Sequence, residues 1–553
     1  MRTFRLSAVF ILLVMILGVV LWGGQAFAGN IDPDNDGSAF AYGENVGWIN
    51  LNPTASGVSV FDSELYGYAW GENVGWISFN CLSTSTCLDV SYKVINDGAG
   101  NLSGYAWGEN VGWINFAPTG GGVTINPGTG VFSGKAWGEN IGWISFNSTG
   151  PVAFQVKTSW RGNQAPEARV DGAASGDQRY QWADYNEATS AYLVLWQDKR
   201  NGASDDIYGV RLDQNGNRIG SDFPVSTAAG HQQRVLVKAG GGGYLAVWHD
   251  LRNQATQGAD IYGAWIAGDG TVGPEMAICA CAGDQWNAVG GYDPVSNTLL
   301  VVWLDARGSV NNQGGNPNDD YDLYGVVIPA GGSQSLTPFS VVSADNGQRG
   351  PQIGYDYGNN QYYLAWNDRR SGVNYDIYGS RVTTVGALLD GTGVLLSGAS
   401  GNQFRPTVTD RRPSTGINNH LVSWADYRNG SQGDVYGIYV DGSGAPVGSE
   451  IAISTSPVDQ ANVVADVDWI NTKKSLVGFI DNTPGAYYNI NTATVDQAGL
   501  PTDNGPVASS VDDQRAEVVT YATDGITDHG FLAVWMDRRN GTNYDVWGIK
   551  VWP

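Results

Sequence analysis

The 553-residue chain has little cysteine, histidine or methionine, four of each, and sets only 30 lysines and arginines against 54 acids. Four cysteines cannot supply the main cohesion of a chain this large, which has core enough without them. Cys81 and Cys87 could close a small loop in an oxidising compartment. Cys279 and Cys281, one residue apart, would form a strained ring, so the bonded and the reduced state both stay open. No Cys or His pair stands nearby at zinc-ligand spacing. A formal net charge of −24 with no basic cluster argues against nucleic acid and anionic lipid as partners. Long apolar runs are missing after the first 28 residues, which excludes a later membrane-spanning helix.

The one apolar run that exists, Ala8 to Trp22, follows Arg2 and Arg5 and ends in Gln25-Ala26-Phe27-Ala28. This is the pattern of an export signal, residues 1–28, cut after Ala28, with an uncleaved anchor as the alternative. No Cys follows the cut site as in a lipoprotein, and the chain stops at Pro553 without a sorting tail. The expected location is secreted or cell-surface, with no membrane span after cleavage.

What is abundant is repetition. Trp-x-Asp-x-Arg followed by Asp-(Ile/Leu/Val)-(Tyr/Trp)-Gly occurs six times between Trp196 and Gly548, with a degraded seventh copy at Phe479 and Asp481. The anchors Trp196, Trp248, Trp303, Trp366, Trp424, Phe479 and Trp535 are 52 to 63 residues apart, enough for a four-stranded unit with its loops. A glutamine opening the first strand recurs at Gln178, Gln232, Gln285, Gln348, Gln403, Gln460 and Gln514 and marks the same seven units. The last unit lacks a fourth strand, while an orphan strand around Ala168-Arg169-Val170 precedes the first. The sequence therefore predicts an all-β protein whose residues 165–553 form a seven-bladed β-propeller closed by its own N-terminal strand.

Residues 29–150 carry a second repeat, Ala-(Tyr/Trp)-Gly-Glu-Asn-(Val/Ile)-Gly-Trp-Ile, four times from Ala41, Ala69, Ala106 and Ala136, and residues 151–164 read as a linker. Each copy predicts two strands around a tight turn, making an antiparallel β-repeat domain, stacked or folded into a small sandwich. The paired tryptophans Trp70/Trp76, Trp107/Trp113 and Trp137/Trp143 are expected to build its core, a sugar-stacking platform being the alternative. Asn73, Asn110 and Asn140 are expected in left-handed turn positions. Asp32, Asp34 and Asp36, before Gly37, have calcium-loop spacing but lack the acid at the twelfth position, so Ca²⁺ is a weak expectation.

Within the propeller, each Arg is expected to pair with the Asp across its hairpin mouth: Arg200 with Asp206, Arg370 with Asp376, Arg539 with Asp545, behind Asp198, Asp368 and Asp537. Six equivalent copies favour bracing over catalysis. A ligand site is sought where the repeat breaks, on the face that carries the Gln and Asp-x-Arg loops. The candidates are His231, His249, Asp481 and the polar insertion holding Asn311, Asn312, Asp319 and Asp320.

The Trp-x-Asp-x-Arg...Asp-Ile-Tyr-Gly phrase resembles the repeats of secreted bacterial β-propeller proteins, and the Ala-Trp-Gly-Glu-Asn-(Val/Ile)-Gly-Trp-Ile units look like tandem repeats attached to the same kind of exported protein. That resemblance implies location and architecture and brings no reaction with it. The Ser-x-Asp-x-Gly-x-Thr-Trp box of sialidases, a Gly-x-Ser-x-Gly elbow and a His-Glu-x-x-His helix are absent. The expectation is a non-enzymatic binding or structural protein that engages glycan or protein through a propeller face. The alternative is a carbohydrate-active enzyme, a glycoside hydrolase or polysaccharide lyase, with carboxylates at the channel mouth.

Overall fold

A computed structural model describes residues 30–551 except 33–36, 55–56, 62–63, 85, 88–89, 99, 127–129, 151, 159, 161–167, 173–174, 203, 308–320, 333–335, 345, 457, 483–487, 508–513, 524, 526–527 and 540–541. The chain divides into two units, residues 1–163 and 164–553. No helix among the described residues is long and apolar enough to cross a membrane.

In the first unit each repeat folds as a hairpin: Phe40–Gly43 with Gly47–Asn50, Tyr68–Gly71 with Gly75–Ser78, Leu102–Gly108 with Gly112–Asn115, and Phe132–Gly138 with Gly142–Ser145. Successive hairpins pair through Asn50 and Trp70, Ser78 and Trp107, Asn115 and Trp137, and the fourth returns to the first through Ser145 and Tyr42. The result is an eight-stranded barrel in place of the expected sandwich. The turns are closed by Gly47, Gly75, Gly112 and Gly142, at φ 79°, 75°, 73° and 75°. Glycine supplies the left-handed geometry expected of asparagine. The asparagines do something else. Asn45, Asn73, Asn110 and Asn140 each donate to a carbonyl in the neighbouring hairpin's turn, at Ile141, Val46, Val74 and Val111, at 3.0 to 3.3 Å. One amide per repeat thus laces the barrel rim.

Strict alternation decides what fills this barrel. Ala41, Ala69, Ala106 and Ala136 and Ile49, Ile77, Ile114 and Ile144 point inward and are buried. Eight strands leave an interior just wide enough for side chains of this size, so the tryptophans at alternate positions face outward. Trp48, Trp70, Trp76 and Trp137 are 38 to 44% exposed, and the expectation of a tryptophan core is corrected. The expected linker also forms strand: Phe154–Gln155 pairs with Asn147–Ser148, and Val156, Lys157 and Thr158 bridge to Ala39, Val131 and Ile31.

The second unit consists of seven four-stranded sheets. The first runs Gln178–Asn186, Ala191–Asp198, Asp206–Asp213, Arg218–Ser226, each strand beside the next. In the seventh, Ala168–Arg169 lies against Asp545–Val551, so the orphan strand does complete the last sheet. Val170 and Val546 then share one apolar core with Tyr192 and Trp196 of the first blade, which closes the ring. The anchor tryptophans are fully buried between blades. The recurring glutamines are buried too, and their backbone N–H groups staple blade to blade: Gln232 to Asp205, Gln285 to Ala259, Gln348 to Tyr321, Gln403 to Tyr375, Gln460 to Gly433 and, across the closure, Gln178 to Tyr544, all at 2.7 to 2.8 Å. Both cysteine pairs, Cys81–Cys87 and Cys279–Cys281, are disulfides.

Candidate functional site

The repeated polar residues form one construction, and its arginine partner differs from the expected one. Arg370 gives Nε and Nη2 to the two oxygens of Asp368, at 3.0 and 2.6 Å, while Asp368 also accepts the Trp366 indole N–H at 2.8 Å and the Arg370 backbone N–H at 2.8 Å. Arg200 and Arg539 likewise bond to Asp198 and Asp537. The guanidiniums then lie over the aromatic ring of the returning strand, with centroid distances of 3.9 Å for Arg200 on Tyr208, 4.0 Å for Arg370 on Tyr378 and 3.8 Å for Arg539 on Trp547. The closing acids are held by other groups: Asn201 donates to Asp206 at 2.6 Å, and Arg169 of the closing strand pairs with Asp545. Burial raises Asp376, followed by the nearby Asp368, as befits a carboxyl that no guanidinium neutralises.

The irregular candidates separate under this geometry. His231 Nδ1 lies 2.9 Å from the Asp205 carboxylate and 3.2 Å from the Asp205 N. Asp284, Asn402 and Asp459 face the equivalent N–H before their own glutamines, so His231 occupies a staple position. His249 is fully buried, accepts the Asn287 N–H through Nε2 at 2.5 Å, and is pushed down to about 3 by burial and by Arg234. It stays neutral. Asn311, Asn312, Asp319 and Asp320, with Asp34 and Asp36, lie outside the described residues; Asp32 accepts from the Gly37 N–H and the Ser38 hydroxyl, both at 3.2 Å.

Asp481 stands where six other blades hold the arginine-paired aspartate, but position 483 is threonine. It accepts the Gln460 amide at 3.0 Å, and burial lifts it to about 6 from an ordinary 3.8. The folded state thus holds this proton more tightly than the unfolded chain, so the carboxyl costs nothing below about pH 4 and destabilises increasingly as pH rises through about 6. Asp481→Asn is expected to raise the melting temperature at neutral pH, by at most about 3 kcal/mol of stability, and to leave it unchanged in acid. Melting curves at both pH values check this.

Residues that the sequence reading passed over line the channel. Two positions after each glutamine the inner strand makes a β-bulge, left-handed at Tyr180, Arg234, Asn287, Arg405 and Asn462 (φ 48° to 53°). A bulge re-aims its side chain, and these converge on the axis. Arg405 bonds to Asn462, Arg234 lies over Tyr180 at 5.1 Å, and burial together with Arg234 holds Arg405 below the ordinary arginine value. Among the described residues neither arginine is paired with a carboxylate.

A cavity of about 570 Å³ opens toward the other end of the channel, on the opposite side from the Gln and Asp-x-Arg loops where it was sought. Arg412 is its centre. Its guanidinium is sandwiched between Tyr357 and Trp469, 3.7 and 4.3 Å from their centroids, and donates to the Tyr357 hydroxyl at 2.6 Å. Nη2 is 3.7 Å from Glu187 of the first blade and 3.7 Å from Asp410 of the fifth. The two carboxyls therefore lie within twice that distance of each other. Lys238 pairs with Asp184 at 3.1 Å. Asp466 accepts the Tyr521 and Val467 N–H groups at 2.8 Å and is lifted by burial to about 6.

The sequence matches no protein-family model and no curated protein. Among solved structures, it is similar to the BP39L lectin from Burkholderia pseudomallei (13% identity, 67% of this chain and 98% of that one, TM-score 0.42). It is also similar to a protein of unknown function from Dyadobacter fermentans DSM 18053 (9%, 60% and 98%, TM-score 0.40), and to the Hadza microbial sialidase Hz136 (10%, 76% and 73%, TM-score 0.37). Likenesses this slight carry no functional content.

Proposed function

We propose that this chain is an exported, non-enzymatic glycan-binding protein whose propeller channel receives the anionic group of an acidic saccharide. The observation that carries the reading is the pair Arg234 and Arg405. In a chain of net charge −24, two guanidiniums near each other at the channel mouth have no acid partner among the described residues, and a carboxylate or sulfate between them relieves their repulsion through charge-assisted, bidentate hydrogen bonds. Tyr180 supplies a ring face, and Asn287 and Asn462 supply amides for hydroxyl groups. The leader at residues 1–28 supports export. Polygalacturonate and chondroitin sulfate serve as probes. Binding at low ionic strength is expected to weaken about 10-fold or more in Arg234→Ala and again in Arg405→Ala. Equal binding by both variants, or none by the parent chain, overturns the reading.

One observation favours an enzyme. Glu187 and Asp410 converge on Arg412 beside an Asp466 near pH 6, in the range of a general acid. New reducing or unsaturated ends appearing on those polymers, and lost in Asp466→Asn, would establish that reading instead.

A further inference from the structure

We infer that the N-terminal barrel carries a separate saccharide site, a groove for a short run of neutral pyranose rings between its second and third hairpins. Trp70, Trp76, Trp107 and Trp113 stand on four consecutive strands, facing outward, and span about 14 Å at ordinary strand spacing. Within each hairpin the two indoles form an open V: Trp70 and Trp76 have centroids 4.9 Å apart and planes 60° apart, Trp107 and Trp113 4.6 Å and 58°. A pyranose presents one face of C–H groups, slightly positive, which suits the negative face of an indole, while its equatorial hydroxyls point sideways to polar groups.

The four hairpins are covered differently, and at the third Tyr92 packs edge-on against Trp113 at 5.3 Å from one side. At the first, Phe154 packs edge-on against Trp48 at 5.1 Å. At the fourth, the 120–122 loop covers Trp143 so closely that a Cβ on Gly121 would lie 2.5 Å from its ring. Between the second and third, Cys81–Thr84, held to Cys87 by a disulfide, is fastened to the second hairpin where Ser83 Oγ accepts the Gly67 N–H at 3.0 Å. Thr84 and Thr86 of this segment, Val90 and Tyr92 just after it, and the four indoles line about 930 Å³, the size of a site for a small ligand. Ser78, Thr84, Thr86 and Asn110 provide hydroxyl and amide partners. Among the described residues the only charged one lining the groove is Glu109, so the groove repels uronates and sulfated sugars. That charge selects a neutral sugar and sets this site apart from the arginine-lined channel.

The test uses the full chain, with indole fluorescence and calorimetry, against cellohexaose, xylohexaose and mannohexaose, with polygalacturonate as the anionic control. At least one neutral hexasaccharide is expected to bind. Trp70→Ala and Trp107→Ala should each weaken it about 10-fold or more without lowering the melting temperature, because both rings lie outside the barrel core. Trp48→Ala, at the first hairpin's counterpart of Trp76 and Trp113 and under Phe154, and the Arg234→Ala/Arg405→Ala pair should leave it intact. No response to any neutral hexasaccharide overturns the proposal, as does equal loss from Trp48→Ala. Concentration-dependent dimerisation abolished by Trp107→Ala without sugar binding would also overturn it, since the groove would then hold a second copy. Failure of the channel reading leaves these outcomes unchanged.

Discussion

Replacing Arg169 by alanine is expected to open the ring at its seam. The Arg169 side chain bonds through Nε to Asp171 and through Nη2 to Asp545, and both acids are almost fully buried. Asp171 in turn accepts the Val546 N–H at 2.9 Å. One guanidinium therefore neutralises two carboxyls on either side of the seam, and Asp545 already sits near 6 through burial and the adjacent Asp171, even with the arginine present. Removing one partner of a buried ion pair costs about 3 to 5 kcal/mol, whereas a typical exposed pair contributes about 0 to 1 kcal/mol. The sign of the pH dependence follows. Asp545, raised by burial and by Asp171, favours the protonated state when folded, so the loss is largest at neutral pH and shrinks as pH falls through about 6 toward 4. Denaturant unfolding at neutral and acid pH measures it, and hydrogen exchange should show Asp545–Val551 losing protection first. A variant as stable as the parent at neutral pH would mean that the closing strand does not hold the ring.

The second large effect is expected at Asp368. Its carboxylate accepts four hydrogen bonds, from the Trp366 indole and from the backbone N–H, Nε and Nη2 of Arg370, and is wholly buried. Asp368→Ala leaves an indole N–H unsatisfied in the core and a guanidinium over Tyr378 without its counter-charge. A cost of about 3 to 5 kcal/mol follows from the broken pair. Asp376→Ala should be mild, because that acid is raised by burial and releasing it removes a penalty. A double-mutant cycle separates the alternatives: Arg370 and Asp368 should couple by more than about 1 kcal/mol, Arg370 and Asp376 by about zero. Strong coupling to Asp376 would restore the cross-hairpin pairing.

The periodic features of the fold were legible because each is a local necessity repeated. The tryptophans and glutamines recur since every blade must bury one large aromatic ring, Phe479 serving in the sixth, and staple itself to its neighbour, and the orphan strand was visible as a missing fourth member. The arginine's partner was not legible. Asp368 and Asp376 are both near Arg370 in the chain, and only coordinates show that the Trp366 N–H and the guanidinium meet at one carboxylate. The outward tryptophans were misplaced for a different reason. Alternation says that alanine and tryptophan face opposite sides, and which side is the interior depends on closure to eight strands, which fits alanine and isoleucine. Arg234 and Arg405 were missed because the second position after each glutamine varies, from Tyr180 to Asn287 to Asn462. An invariant glutamine beside a variable neighbour was the signal available. His231 attracted attention as a rare residue type, although its position repeats a common task.

The central claim is that recurring side chains build the ring and recognition is left to positions where the repeat varies. Hydrogen exchange of the full chain, with and without a retained acidic polymer such as polygalacturonate, tests this most directly. Protection gained at the bulges around Tyr180, Arg234 and Arg405, with the hairpins between Asp198 and Asp206 and between Asp368 and Asp376 unchanged, is the predicted result. Protection concentrated in those recurring hairpins, with the bulges unaffected, would contradict it.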